Sequence, residues 1–229
     1  MDFSIITENY LLYLKGMGVT LQVLFVSTAI GSAIGIPVAV LMLSANRAIK
    51  LSSYSFVTFF RGTPLVIQLF LIYYGLGQFA FVRESFAWIL LEKPFFCAVL
   101  ALALNNAAYT AEIVRGALVA TPHGEIEAAH ALGMSRYQSF IRIILPSALR
   151  RSIPAYSNEV IFMLHGTVVV SLVTLYDITG VARFINSRYY SPYEAFITAA
   201  LLYMVITFCL IAIFKQIEKR GLAYLTHGR

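Results

Sequence analysis

Residues 16–46 read GMGVTLQVLFVSTAIGSAIGIPVAVLMLSAN and contain no Asp, Glu, Lys or Arg. A helix needs roughly 17–25 mainly apolar residues to cross the hydrocarbon core of a bilayer, so this stretch is long enough for one crossing. Four more windows without these charged residues follow, at 62–82, 94–111, 160–176 and 195–214. Because the windows are continuous rather than alternating, they predict membrane-spanning helices and not the strands of a barrel.

The composition also indicates that most of the chain lies in a membrane. Of the 229 residues, 59% are hydrophobic and 12% are charged, whereas soluble domains carry about 25% charged residues. The mean hydropathy of +0.78 agrees with this reading. We therefore predict an all-α membrane protein with a single transmembrane domain over residues 1–229. Its five predicted transmembrane helices cover about 17–44, 56–81, 94–119, 154–176 and 195–215.

The positive charges are distributed unevenly between the segments that flank these helices. Twelve of the 17 Lys and Arg residues fall in the first and third inter-helix loops and the C-terminal tail, and five fall in the alternate segments. The positive-inside rule then predicts a cytoplasmic C-terminus and an N-terminus outside. Topology therefore accounts for the net charge of +6, which implies no nucleic-acid partner. The first ten residues lack a basic start, so we expect no cleavable signal peptide.

The long third loop carries signals for two short helices. Thr121, followed by a proline, predicts an N-cap with proline at the first helical position. Gly133 predicts the end of that helix. Ser135 and Gln138 have the spacing of a capping box for a second helix, which we expect Pro146 to end.

The same loop contains a spaced motif. Glu127-Ala128-Ala129 is followed by three residues, Gly133, nine residues, Ile143, one residue and Leu145-Pro146. This pattern resembles the cytoplasmic signature of the permease subunits of ABC importers. The resemblance implies the type I ABC importer fold, with about 121–146 forming a cytoplasmic coupling segment between helices 3 and 4 that docks on an ATPase subunit. The residues it assigns to ATPase coupling are Glu127, Ala128, Ala129, Gly133, Leu145 and Pro146.

The resemblance covers nearly the whole chain. Phe60-Arg61-Gly62-Thr63-Pro64-Leu65 with Gln68, Tyr109-Thr110-Ala111-Glu112, and Pro154-Ala155-Tyr156 with Glu159 are similar to segments of polar amino-acid permeases. The likeness is closest to the second membrane subunit of histidine/lysine/arginine/ornithine and opine systems. Many relatives have Lys-Asp-Thr or Lys-Asp-Ser where this chain has His165-Gly166-Thr167, and this departure favours the basic-amino-acid branch.

The resemblance implies a set of partners and a function. The chain would be the transmembrane subunit of an ATP-binding-cassette importer for a basic amino acid or an opine in the bacterial inner membrane, or else a glutamine/glutamate-type permease. Because it has no Gly-x-x-x-x-Gly-Lys-Ser/Thr loop to hold phosphates, it would not be an enzyme, and ATP and Mg would bind to a partner. The implied partners are two ATPase subunits, a second homologous permease subunit in a heterodimer, an external substrate-binding protein and lipid.

Polar residues in the middle of the predicted helices are candidates for the substrate pathway, because such groups are costly in lipid and usually face a path or another helix. Each has an alternative: the asparagines could join neighbouring helices, His165 could be a packing residue, and Glu159 could brace the third loop. We predict no catalytic and no metal-ligating residues. The candidate pathway residues are Asn105, Asn106, Tyr109, Glu159, His165 and Thr167.

Two other classes of protein remain as alternatives. A secondary transporter or channel that works alone would be expected to show an internal inverted repeat and more helices, and neither is visible in the sequence. A structural membrane scaffold would not require the spaced motif of the third loop.

Overall fold

The computed structural model describes residues 3–221, which contain helices and no strand. Residues 71–75 and 140–144 are π-helical turns, and residues 76–78 and 167–173 form 3₁₀ helices. The α-helices in chain order are α1 (Ser4–Glu8), α2 (Tyr10–Leu41), α3 (Arg47–Gly62), α4 (Leu65–Phe70), α5 (Ala80–Arg83), α6 (Trp88–Leu91), α7 (Pro94–Val119), α8 (His123–Ala131), α9 (Arg136–Ser139), α10 (Leu145–Gly166), α11 (Ile178–Tyr189) and α12 (Pro192–Gly221).

Among residues 3–221, four helical segments are long and apolar enough to cross a membrane. The number rises to five if the pair Arg47–Gly62 and Leu65–Gln78, which is bent by 104°, forms one span. The all-α membrane fold is thus confirmed, with four or five candidate spans. The four unbroken segments are Tyr10–Leu41, Pro94–Val119, Arg136–Val173 and Pro192–Gly221.

The centre of the molecule is the contact between α2 and α7, which depends on small residues. A Cβ added to Gly31 would lie 2.8 Å from the carbonyl oxygen of Ala103, and one added to Gly35 would lie 2.6 Å from that of Ala107. Both distances are too short for a side chain. Glycines four residues apart therefore allow the two helix backbones to approach closely, as they do in membrane helix pairs.

The predicted second helix, 56–81, does not exist as one straight helix. It breaks at Pro64, which has no N–H to donate and disfavours a helical conformation in the residue before it. Thr63 is accordingly extended, with φ −108° and ψ 143°. The part before the break belongs to α3, which begins at Arg47, earlier than predicted.

The predicted fourth helix, 154–176, begins earlier and ends slightly sooner in the structure. The helical segment runs from Arg136 to Val173, and Pro146 does not end it. Pro146 lies in the first turn of α10, directly after the π-helical turns at 140–144. The wider π-helical turn before it accommodates a residue that cannot donate the usual helical N–H.

Candidate coupling segment and membrane cavity

The coupling segment starts with α8, but not with the predicted cap. Pro122 occupies the N-cap position and α8 begins at His123. The Thr121 hydroxyl does not cap α8, because it donates a hydrogen bond to the carbonyl oxygen of Leu118 at 2.8 Å, in the last turn of α7. The prediction of Thr121 as N-cap was therefore wrong.

The end of α8 and the turn that follows confirm the roles predicted for Gly133, Ser135 and Gln138. Gly133 has φ +72°, its N–H donates to the carbonyl oxygen of His130 at 2.9 Å, and the N–H of Met134 donates to that of Ala129 at 3.1 Å. This pair of bonds is the Schellman motif. Ser135 and Gln138 form the capping box of α9.

The predicted coupling residues differ in exposure. Glu127, Ala128 and Gly133 are exposed, whereas Ala129 is fully buried against the rest of the protein. The side chains of Leu145 and Pro146 are half-buried at the start of α10. The segment therefore has an outer face and a face that packs on the protein.

Two large side chains of this segment were not singled out from the sequence. Leu132 and Tyr137 are each 75% exposed, on either side of the turn at Gly133. Large exposed apolar side chains are a common feature of protein interaction surfaces. Helices as short as α8 and α9 have little surface on which to bury such side chains, and this could have suggested their exposure.

A cavity of about 370 Å³ lies between α4, α7 and α10. It brings together three of the six candidate pathway residues, Asn105 and Tyr109 from α7 and Glu159 from α10. Glu159 has 9% of its surface exposed, so the cavity wall holds a carboxylate that is largely removed from water. The lining residues are Leu65, Asn105, Tyr109, Glu159, Phe162, Met163 and Gly166.

The other three candidates lie elsewhere. Asn106 is fully buried and its Oδ1 accepts a hydrogen bond from Thr110 at 3.4 Å. Thr167 is also fully buried and donates to the carbonyl oxygen of Leu164 at 2.7 Å. His165 is exposed and borders a separate groove that α10 forms with α12.

Asn105 also forms hydrogen bonds with residues on both sides of the bend at Pro64. Its Nδ2 donates to the carbonyl oxygen of Phe60 at 3.1 Å and to Oε1 of Gln68 at 3.2 Å. Gln68 is buried, and its Nε2 donates to the same Phe60 carbonyl at 2.8 Å and to that of Thr63 at 3.0 Å. The two amides thus bind carbonyls left free at the end of α3, which is the helix-joining role considered for Asn105.

A positive charge lies beside the cavity. The guanidinium of Arg61 is 5.1 Å from the centroid of the Tyr109 ring, a cation–π distance, and it attracts the carboxylates of Glu112 and Glu159. Glu112 itself is paired with Arg115, whose Nε donates to it at 3.0 Å. From the sequence, Arg61 counts as a charge of the first inter-helix loop. Its proximity to Tyr109 depends on the packing of α3 on α7, which sequence spacing does not reveal.

Within the described range, 3–221, no group of three or more His, Cys, Asp or Glu side chains is placed to hold a metal ion.

Comparisons with known proteins agree with one another. The model of the family described as binding-protein-dependent transport system inner membrane component matches residues 31–221. The chain is 45% identical over 209 residues to a nopaline transport system permease protein of Agrobacterium fabrum, covering 91% of this chain and 87% of the relative. It is 43% identical over 211 residues to the histidine/lysine/arginine/ornithine transport system permease protein of Escherichia coli, covering 92% and 89%.

A solved structure shows the same fold. The crystal structure of an amino acid ABC transporter with histidines contains a chain that is 34% identical, with a TM-score of 0.85, covering 96% of this chain and 99% of that one. These similarities do not support a stand-alone transporter or a structural scaffold. The chain belongs to the family of binding-protein-dependent transport system inner membrane components, as the non-catalytic permease subunit of an ABC importer with the type I fold.

Proposed function

We propose that this permease carries a basic amino acid or an opine into the cell. It works with two ATPase subunits, which bind the ATP and Mg, with a second homologous permease subunit in a heterodimer, and with an external substrate-binding protein. The N-terminus lies outside and the C-terminus lies in the cytoplasm. Relatives that are named for histidine, lysine, arginine, ornithine and nopaline transport support the substrate class.

The observation that carries this proposal is the carboxylate of Glu159 in the wall of the cavity. An ionised carboxylate away from water is costly unless a positive charge lies nearby. An amino acid with a cationic side chain offers a positive charge to Glu159 and its own carboxylate to Arg61. Asn105 and Tyr109 then shape the cavity between these two charges.

We assign different roles to the remaining candidates. Asn106 and Thr167 are buried among helices and hold the α7 and α10 walls in place. His165 faces the groove between α10 and α12, away from the cavity. Substrate selection thus rests on Asn105, Tyr109, Glu159 and Arg61.

The coupling segment performs the second half of the function. Glu127 and Ala128, with Leu132 and Tyr137, form the exposed surface that binds an ATPase subunit. Ala129, Gly133, Leu145 and Pro146 give this surface its shape. An exposed surface with apolar side chains, next to a helix that ends in a Schellman motif, suits a contact that must transmit movement.

The test is Glu159→Gln in the full complex, reconstituted in liposomes with its binding protein. Glutamine keeps the size and removes the charge, so we expect the initial rate of arginine uptake to fall at least about tenfold, which corresponds to roughly 1.4 kcal/mol. His165→Gln is the matched control and should transport normally. Unchanged arginine uptake by Glu159→Gln would contradict the proposal, and a preference of the parent complex for glutamine would indicate the glutamine/glutamate-type permease instead.

A further inference from the structure

We propose that Arg151 is a positioning residue that fastens the coupling helix α8 to both α7 and α10. The coupling surface and two walls of the cavity then move as one body. This inference rests on the proposed role of α8 as the segment that binds the ATPase. It adds the link by which a movement of α8 reaches the cavity.

The link is a set of hydrogen bonds around one guanidinium group. Nη1 of Arg151 donates to Oε1 of Glu125 at 3.1 Å, and Nη2 donates to Oγ1 of Thr121 at 2.9 Å and to the carbonyl oxygen of Ala117 at 3.3 Å. Ser147 donates to the same Glu125 oxygen at 3.0 Å and accepts a further bond from Arg151.

These partners belong to different elements. Ala117 lies in the last turn of α7, Thr121 in the connection after it, and Glu125 in the first turn of α8. Ser147 and Arg151 are one turn apart on α10. A single side chain therefore joins three helices at the point where the chain leaves the membrane region. Only arginine offers several N–H donors in a rigid fork that can reach such separate acceptors.

The ion pair is shielded from water. The side chains of Arg151 and Glu125 are 16% and 27% exposed, so this pair differs from the exposed pairs that contribute little. Removing one partner of a shielded pair leaves the other charge poorly solvated. The arrangement is thus costly to break, which suits a fixed joint better than a hinge.

The joined helices lead directly to the cavity. α7 carries Asn105 and Tyr109, and α10 carries Glu159. Glu159 is eight residues beyond Arg151 in one helix, a distance of about 12 Å along the axis at 1.5 Å per residue. Without Arg151, α8 would still be held by the buried Ala129 and by the bond from Ser147 to Glu125, but it would lose its fastening to the end of α7.

The experiment measures coupling rather than activity alone. The full complex is reconstituted in liposomes, and the amount of arginine taken up is divided by the amount of ATP hydrolysed. We expect Arg151→Met, which keeps the apolar stem, to lower this ratio about tenfold while the complex still co-purifies with its ATPase. Arg151→Lys should keep part of the ratio, because lysine can donate to Glu125 but cannot donate to all the acceptors of Arg151 at once. Arg47→Met, at an exposed position at the start of α3 and outside the coupling segment, is the control and should leave the ratio unchanged.

A double-mutant cycle tests whether Arg151 and Glu125 act through each other. The double variant Glu125→Gln with Arg151→Met should be no worse than Arg151→Met alone. Additive losses, or a normal ratio in Arg151→Met, would overturn the proposal. If Arg151→Met fails to assemble, Glu125→Gln is measured in its place. A normal ratio of uptake to ATP hydrolysis in Glu125→Gln would likewise overturn the proposal.

A comparison with Gly133→Val separates this inference from the proposed function on which it rests. If Gly133→Val lowers the ratio and Arg151→Met does not, α8 couples to the ATPase without the Arg151 joint. If neither variant lowers it, α8 is not the coupling element.

Discussion

Gly133 is the residue at which backbone conformation can be separated from packing. Its φ of +72° is unfavourable for residues with a side chain, yet a Cβ added there would have no neighbouring atom within 4 Å. Within this chain, any effect of substitution must therefore come from the backbone, because no neighbouring atom obstructs a side chain there. This makes the position a clean test of how α8 is presented.

We expect Gly133→Val to insert and assemble normally but to lose uptake and the stimulation of ATP hydrolysis by the loaded binding protein. A left-handed conformation costs a residue with a Cβ about 1–2 kcal/mol, and valine is branched at that atom. The turn should open and misplace Glu127 and Ala128. Both activities are measured in liposomes.

Gly133→Asn is the control for this prediction. Asparagine is larger than glycine but tolerates the left-handed conformation, so it should keep most of the activity. An equal loss of coupling in Gly133→Asn and Gly133→Val would show that size, and not conformation, matters at this turn.

The sequence located the polar residues of helix 4 but not the faces on which they lie. His165 is six positions after Glu159, which places it about 120° away around the helix at 100° per residue. Phe162, Met163 and Gly166 follow Glu159 by three, four and seven positions and share its face, and these three line the cavity. Helical periodicity could have placed His165 on a different face from Glu159 before the structure was known.

Among the elements, the broken second helix was the least predictable. Windows of uncharged residues measure length only, so they joined Thr63 to the residues after Pro64 and missed the 104° bend. Pro64 gave a local signal for a break. The partners that hold it, Asn105 and Gln68, depend on a contact between distant parts of the chain, and sequence spacing does not reveal such contacts.

The helix α11 provides a prediction that depends on pH. Asp177, which lies between the last two candidate spans, caps α11 by accepting hydrogen bonds from the N–H groups of Gly180 and Thr179 at 2.8 and 3.3 Å. It is fully buried, and burial raises the pKa of this carboxyl above its ordinary value of 3.8 in spite of these bonds.

The sign of the effect follows from that shift. Because the folded protein holds the proton more tightly than the unfolded chain, stability falls as pH rises from the ordinary pKa of Asp177 through its raised value. Asparagine cannot ionise and is an equally good N-cap. We therefore expect Asp177→Asn to lose less thermal stability than the parent as the pH rises above 3.8, the ordinary pKa of the carboxyl.

The measurement is the melting temperature of the purified complex across that pH range. Asp177→Ala serves as the control and should be less stable than Asp177→Asn at every pH, by about 1 kcal/mol for the lost cap. Equal pH dependence in the parent and in Asp177→Asn would show that the carboxyl does not change its charge in this interval.

In the whole molecule, buried contacts show which helix ends lie together. One joins the end of α2, the end of α7 and the start of α10 through Met42, Leu118 and Ala148. At the other end, the Tyr13 hydroxyl near the start of α2 donates to the carbonyl oxygen of Ala195 near the start of α12, at 2.8 Å. This grouping supports the alternating directions proposed from the charges, although Arg61 lies beside the cavity and not in a loop.

The proposed orientation predicts which end an impermeant reagent can reach. Glu127 in α8 and Tyr190 after α11 are both exposed, and they belong to the third and fourth inter-helix segments. Single cysteines are introduced at these positions in a chain whose own Cys97 and Cys209 have been replaced by alanine. A charged maleimide added to intact cells should label Tyr190→Cys at once. It should label Glu127→Cys only after the inner membrane is permeabilised, because α8 lies in the cytoplasm. Immediate labelling of Glu127→Cys, with protection of Tyr190→Cys, would reverse the orientation and place the coupling segment on the side that has no ATPase.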